Sequence, residues 1–230
     1  MRNSEVIAVV VWIAAAGGSE AARAQGAGAD GVNQPVATGS RTTQAPVIDG
    51  TPDEAAWRNA TALSSFVQNE PFEGRPASER TEVRILFDAE AVYVAAWMFD
   101  AEPAALVLGE TRRDASLADT DHLMIVLDTY LDRQNGFVFG TTPAGIEYDG
   151  QVIKEGQGGF GGGFGSGGPR QQRGSGGGFN VNWDGSWEVA TSRDDRGWYA
   201  EFRIPLAEDA RAAVIPYVTH EGQVFVGFVY

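Results

Sequence analysis

Between residues 81 and 99 the hydrophobic pattern along the chain changes character. Thr81–Phe87 sets Val83, Ile85 and Phe87 on one face and Glu82 and Arg84 on the other, the alternation of a half-buried strand. After a turn at Asp88-Ala89-Glu90, Val92–Phe99 is apolar on both faces, which predicts a central strand or one whose outer face is also covered. Its β-branched and aromatic make-up fits a strand better than a helix. Leu106–Arg113 predicts a weaker strand, Asp114–Asp121 an acidic loop, and Leu123–Leu127 another strand apolar on both faces. Gly136–Thr141 and Gly145–Val152 predict a hairpin around Thr142-Pro143-Ala144-Gly145. A second hairpin joins Trp187–Thr191 to Trp198–Ile204 through Asp194-Asp195-Arg196-Gly197, and Val224–Val229 adds a last strand. Ahead of these, Val47-Ile48-Asp49-Gly50 predicts a short strand running into a turn. Asp53 is placed to cap the helical turn Glu54-Ala55-Ala56-Trp57, with Trp57 in the core. About nine short strands with little helix predict an all-β fold, an antiparallel β-sandwich, with a small barrel as its rival.

The flanks and one internal stretch break this pattern. Val6–Ala16 is an apolar run behind Arg2, and Ala22-Arg23-Ala24 is an A-x-A cleavage pattern, so residues 1–24 are expected to be a signal peptide. The run is too short for a spanning helix, which takes ~20 apolar residues. Residues 25–45 lack periodicity and are expected to be a flexible linker, leaving 46–230 as the sandwich domain. Within that domain the segment 156–178 has thirteen Gly among its 23 residues and predicts a disordered Gly-rich loop. It lacks the strand–GxxxxGK[ST]–helix context of a phosphate cradle.

Composition narrows the chemistry. The 230 residues hold no Cys, which removes disulfides, Cys-ligated metals and thiol nucleophiles. With 17 basic against 31 acidic residues and a net charge of −14, nucleic acid is excluded as a partner, since phosphate binding needs a basic stripe. Export would place the product in the periplasm, at the outer membrane or outside the cell.

Several constellations remain. Asp119 with Asp121 and Glu147 with Asp149 are carboxylate pairs of the kind a glycosidase uses, though solvated loop charges are the plainer account. Asp128, Asp132 and Asn135 gather oxygen ligands in a tight turn. They are the candidates for structural calcium, the only cofactor expected, against an ordinary hairpin connection. His122 and His220 lack metal-ligand spacing. The aromatics carry most weight. Trp183 and Trp187 flank Asp184-Gly185-Ser186, and Tyr148 precedes Asp149-Gly150 across the Gly-rich segment. Aromatic faces beside carboxylates and Arg suit sugars, whose C–H faces stack while their hydroxyls hydrogen-bond. Trp187 fits the core better; Trp183 is open to either role.

Four segments carry a resemblance. Ile48-Asp49-Gly50 followed by Asp53-Glu54-Ala55-Ala56-Trp57, then Thr81–Asp88 with Tyr93-Val94, then Asp121–Asp128, then Gly197–Pro205, resemble family 9 carbohydrate-binding modules in their order. Thr111-Arg112-Arg113-Asp114, Asn135–Phe139 and Asn182–Glu188 are similar to exported bacterial proteins in which such a module precedes an outer-membrane β-barrel. The resemblance implies a saccharide-binding sandwich, an accessory of glycoside hydrolases, and a barrel segment absent from this chain as a partner. Where sugar-holding family members place an aromatic and a Glu, this chain has Leu117–Ala118 and Met124. A haem-binding relative of the sandwich uses Met and Lys, for which Met124 and Lys154 are available.

The expectation is therefore a non-catalytic module binding an oligo- or polysaccharide through Trp183, Tyr148, Asp149, Arg112 and Asp121. The alternatives are an envelope interaction domain that has lost sugar binding, and an O-glycosyl hydrolase.

Overall fold

The computed structural model describes residues 8–14, 38–68, 72, 74–117, 120–127, 135–153, 164–165, 168–169, 178–206 and 223–229. Its strands are β1 (Ala8–Ala14), β2 (Ser40–Arg41), β3 (Ala62–Leu63), β4 (Thr81–Phe87), β5 (Ala91–Phe99), β6 (Leu123–Leu127) and β7 (Gly136–Thr141). They continue with β8 (Tyr148–Ile153), β9 (Phe164–Gly165), β10 (Gly168–Pro169), β11 (Gly178–Asn180), β12 (Glu188–Asp194), β13 (Gly197–Pro205) and β14 (Gln223–Val229). One α-helix, α1 (Ala55–Asn59), and one 3-10 turn (Pro103–Ala105) complete the described elements.

The chain is a β-sandwich. One sheet runs β12-β13-β5-β4-β2, with β3 also on β4; the other runs β1-β14-β6-β7-β8-β11. Ladders are antiparallel except the short β2–β4 pair, Ser40 with Leu86 and Arg41 with Phe87. Val83, Ile85, Val94, Met98, Trp198 and Phe202 of the first sheet pack with Leu123, Ile125, Leu127 and Phe139 of the second. Period-2 alternation puts these side chains on facing surfaces, and burying them drives the two layers together.

Both outer faces are partly covered, which explains the strands that are apolar on both sides. On the second sheet Met124 and Val126 turn outward into a cluster with Leu117, Val138, Tyr148 and Phe179. On the first, Leu86, Tyr93 and Ala95 lie under Trp57 and Ala60 of the α1 segment.

Three local expectations are corrected, for Val47–Gly50, for Asp53 and for Leu106–Arg113. Val47–Gly50 is not a strand; its backbone is held by a side chain of β13 instead. Asp53 does not cap α1: Glu54 occupies the N-cap without a side-chain cap bond, and its Oε1 accepts the Val47 N–H at 2.9 Å. Leu106–Arg113 is not a strand, because Gly109 lies at φ +73° and Val107 bonds to the Asp121 loop rather than to a sheet. Ser40–Arg41, within the expected linker, joins the first sheet. Ala8–Ala14, within the expected leader, pairs antiparallel with Gln223–Val229. In the Gly-rich segment, β9 and β10 pair with each other.

Candidate functional site

The residue that organises the Trp183 turn is Arg113, one position from the expected Arg112. The turn Arg112-Arg113-Asp114, with Asp114 at φ 56°, carries the Arg113 guanidinium to four carboxylates. It pairs with Glu147, with Asp149 at 3.1 Å and with Asp184 at 2.6 Å, and lies 3.8 Å from Asp114. Asp149 is fully buried, at 0% exposure. Its Oδ2 accepts the Gly185 N–H at 2.8 Å, the Trp187 Nε1–H at 2.9 Å and Arg113. Its Oδ1 is buried with no hydrogen-bond partner. Burial pushes its carboxyl above the usual carboxylate range, against the pull of those three donors. Asp149 therefore ties β8 to the start of β12, across the edge of the core. That is a structural role.

The other expected residues are dispersed. Tyr148 is 5% exposed and stacks on Phe179 at 5.9 Å, so its ring is spent on internal packing. Arg112 has a side chain 73% exposed and reaches only Glu110, at 3.6 Å. Asp121 fastens its own loop, accepting the Val107 N–H at 2.6 Å. Trp183 is half-buried against Phe137, with ring centroids 4.6 Å apart, and lies edge-on to Phe139. A Cβ on Gly185 would stand 2.7 Å from its ring, so backbone closes one side of the indole. Trp187 is core, as expected. Of the calcium candidates Asp128 and Asp132 lie outside the described residues, as do Asp119, Lys154 and His220; Asn135 precedes β7. Among the described residues no group of three or more His or acidic side chains is arranged to hold a metal. Met124 is buried in the outer cluster of the second sheet. His122 Nδ1 sits 2.9 Å from the Thr120 carbonyl, and burial lowers its pKa.

An open, aromatic-lined groove of about 560 Å³ lies elsewhere, on the outer face of the first sheet. Cross-strand register builds its floor: Ser192 faces Tyr199, Tyr199 faces Trp97, and Trp97 faces Glu82. Because successive residues alternate faces, these four share the outer side while Met98 and Trp198 point into the core. Phe99 extends the aromatic surface by one repeat. The segment Thr51–Asp53 with Arg58 forms one side, and the Asp194–Arg196 hairpin end forms the other.

The rim is polar and pre-set. Arg84 donates to the Trp57 and Arg58 carbonyls at 2.7 and 2.9 Å, closing the end of α1, and pairs with Glu82 at 2.6 Å. A guanidinium lies over each ring: Arg84 over Trp97, Arg80 over Phe99 and Arg196 over Tyr199, at 5.6, 4.6 and 5.9 Å. Hydrogen bonds from Arg196 hold the Asp194 carboxyl down at about 2. Burial, with the bond to Asp194, pushes the Tyr199 hydroxyl up to about 12. That hydroxyl thus stays a donor, to Asp194 Oδ1 at 2.8 Å. Trp97 is half-buried, leaving part of its surface to solvent.

Sequence reasoning missed this groove. Its signal was the outward set of β5 and β13, in which Trp97 and Tyr199 occupy the face opposite the core positions; their adjacency depends on a strand register that no single segment reveals.

No family model matches the chain, and no curated protein does. Two solved structures of a carbohydrate-binding module of family 9 from Caldicellulosiruptor kristjanssonii, one with cellotriose and one with glucose, are similar to it at 17% identity. The matches cover 74% of this chain and 67% and 70% of those chains, with TM-scores of 0.41 and 0.40.

Proposed function

We propose that this domain is a non-catalytic saccharide-binding module whose ligand lies in the groove over Trp97 and Tyr199. The observation that carries the reading is the cross-strand row Ser192–Tyr199–Trp97–Glu82, an aromatic floor edged by hydroxyl, carboxylate and guanidinium groups. A sugar ring presents an apolar C–H face and a rim of hydroxyls, and such a floor and rim complement both. The volume falls within the ~300–1,000 Å³ of small-ligand sites. The four segments that resemble family 9 modules agree with this use. The leader-like N-terminus favours work in the cell envelope or outside the cell, as an accessory to glycoside breakdown or beside an outer-membrane barrel.

The runner-up is an interaction domain without a sugar, favoured by the burial of Tyr148 and Asp149 and the absorption of Arg113 into structural ion pairs. Hydrolysis gains nothing from Glu201, whose carboxyl burial pushes up to about 7: it is 0% exposed. Isothermal titration of the folded domain against a panel of oligosaccharides tests the proposal. Binding to at least one member is expected; silence across the panel from a folded protein would reject it in favour of the runner-up.

A further inference from the structure

We infer that Asp53 sets the specificity of the groove: its carboxylate accepts two adjacent hydroxyls of a sugar ring, which selects 1,4-linked chains over 1,3-linked ones. The inference rests on the saccharide reading above and narrows its ligand class.

Most carboxylates and hydroxyls of the groove are already engaged within the protein. Glu82 accepts Arg84 Nε on Oε1 and Arg80 on Oε2, each at 2.8 Å. Asp194 takes the Arg196 side chain on Oδ2 at 2.8 and 3.0 Å. Its Oδ1 accepts the Arg196 backbone N–H and the Tyr199 hydroxyl, both at 2.8 Å. Ser192 donates to the Gly50 carbonyl at 2.5 Å. Asp53, the third carboxylate lining the groove, differs. Its side chain is exposed, does not cap α1, and has no hydrogen bond or ion pair among the described residues. The Thr51 hydroxyl, on the same side of the groove, is likewise unbonded among the described residues.

That side is held in place before any ligand arrives. The Asp53 N–H donates to the Thr51 carbonyl at 2.7 Å around Pro52, whose ring fixes φ. The Thr51 N–H donates to Asp49 Oδ1 at 2.8 Å, and Arg58 donates to the Asp53 backbone carbonyl. A ligand meeting Asp53 therefore has little backbone to order.

Stacking on Trp97 supplies contact area, while the few free polar groups fix how a ring is oriented. A carboxylate only accepts, so Asp53 calls for O–H donors, and its two oxygens match hydroxyls on neighbouring carbons. Every ring of a 1,4-linked chain keeps such a pair at C2 and C3. In a 1,3-linked chain only the end rings do. A site built around that pair rejects chains that lack it.

The test titrates the full chain calorimetrically with cellohexaose, xylohexaose, mannohexaose and laminarihexaose. At least one of the three 1,4-linked hexaoses should bind several-fold tighter than the 1,3-linked laminarihexaose. Asp53→Ala should weaken that hexaose about tenfold or more, the yield of hydrogen bonds to a charged group. Asp53→Asn, which keeps one acceptor oxygen, should weaken it less. Laminarihexaose should respond little to either variant. Glu110→Gln, a charge change outside the groove, should leave all four sugars unmoved. Urea denaturation of each variant should match the wild type, because the Asp53 side chain bonds to nothing in the fold. A destabilised Asp53→Asn would give the residue a structural role and overturn the inference. Laminarihexaose binding as tightly as the best 1,4-linked hexaose overturns it while the saccharide reading stands. Asp53 variants that bind like the wild type, or lose both linkages alike, do the same. If none of the hexaoses binds, the saccharide reading itself fails and takes the inference with it.

Discussion

The buried carboxylate of Glu201 accepts the indole N–H of Trp57 at 2.9 Å, joining α1 to β13 across 144 residues of chain. Its other oxygen accepts the backbone N–H groups of Gly50 and Asp49 at 2.9 and 3.2 Å. The segment that opens the domain is thereby latched to the outer face of the first sheet, where it becomes one side of the groove. The second carboxylate–indole pair, Asp149 with Trp187, does the same for the Trp183 turn at the edge of the core. In each case an Asp or Glu is tolerated in the interior because several N–H groups converge on it.

Trp57→Phe should destabilise the domain by about 2–4 kcal/mol, from a buried carboxylate oxygen left without its donor plus lost packing volume. Urea denaturation measures it. A change below about 0.5 kcal/mol would mean that the latch does not bear on stability.

Stability should also depend on pH through Glu201. Burial first, then the neighbouring Glu54 charge, push its carboxyl up to about 7 from an ordinary 4.5. The folded state therefore holds a proton that the unfolded chain releases. The stabilisation is complete below pH 4.5 and is lost as pH rises towards 7, at up to about 1.4 kcal/mol per unit. Asp149, also raised, acts in the same sense, while His122, lowered, opposes it. The comparison with Glu201→Gln isolates the group: from pH 4.5 to 7 the wild type should lose stability relative to the variant. Parallel pH profiles would refute the assignment.

Arg113→Met should cost about 2–4 kcal/mol. It strips the cation from the buried Asp149 and from Glu147 and Asp184, at less than the full cost of breaking a buried pair because Arg113 is partly exposed. Arg112→Gln, its neighbour, should change stability by no more than about 0.5 kcal/mol. Thermal or urea unfolding of the two variants side by side decides between them, and equal effects would contradict the geometry.

Gly197 closes the β12–β13 hairpin at φ +148°, and an added Cβ would stand 2.1 Å from the Met98 carbonyl oxygen. Gly197→Ala should therefore be among the most damaging single substitutions, about 3 kcal/mol or more, since both strain and a backbone clash must be absorbed. A neutral result in a denaturation experiment would show that the hairpin joins β5 differently.

The strands were legible because their information is local. Val83, Ile85 and Phe87 alternate with Glu82 and Arg84, and that period alone places β4 with one face in the core. Gly197 and its Asp neighbours likewise mark their turn. The site was hardly legible, because it depends on register. Nothing near Trp97 announces that Tyr199 stands beside it, and nothing in Arg112-Arg113 says which guanidinium turns inward. Tyr148 and Asp149 looked like a sugar-binding pair in sequence. Strand alternation sends one into the outer cluster and the other into the core, where neither offers a free surface.

The central claim, that saccharide recognition belongs to the Trp97 groove, is tested most directly by calorimetric titration of Trp97→Ala and Trp183→Ala with whichever oligosaccharide the wild type binds. Trp97→Ala should weaken binding about tenfold or more, the loss of one stacking face, while Trp183→Ala should bind like the wild type. Retained affinity in Trp97→Ala together with loss in Trp183→Ala would move recognition to the Trp183 turn and contradict the account.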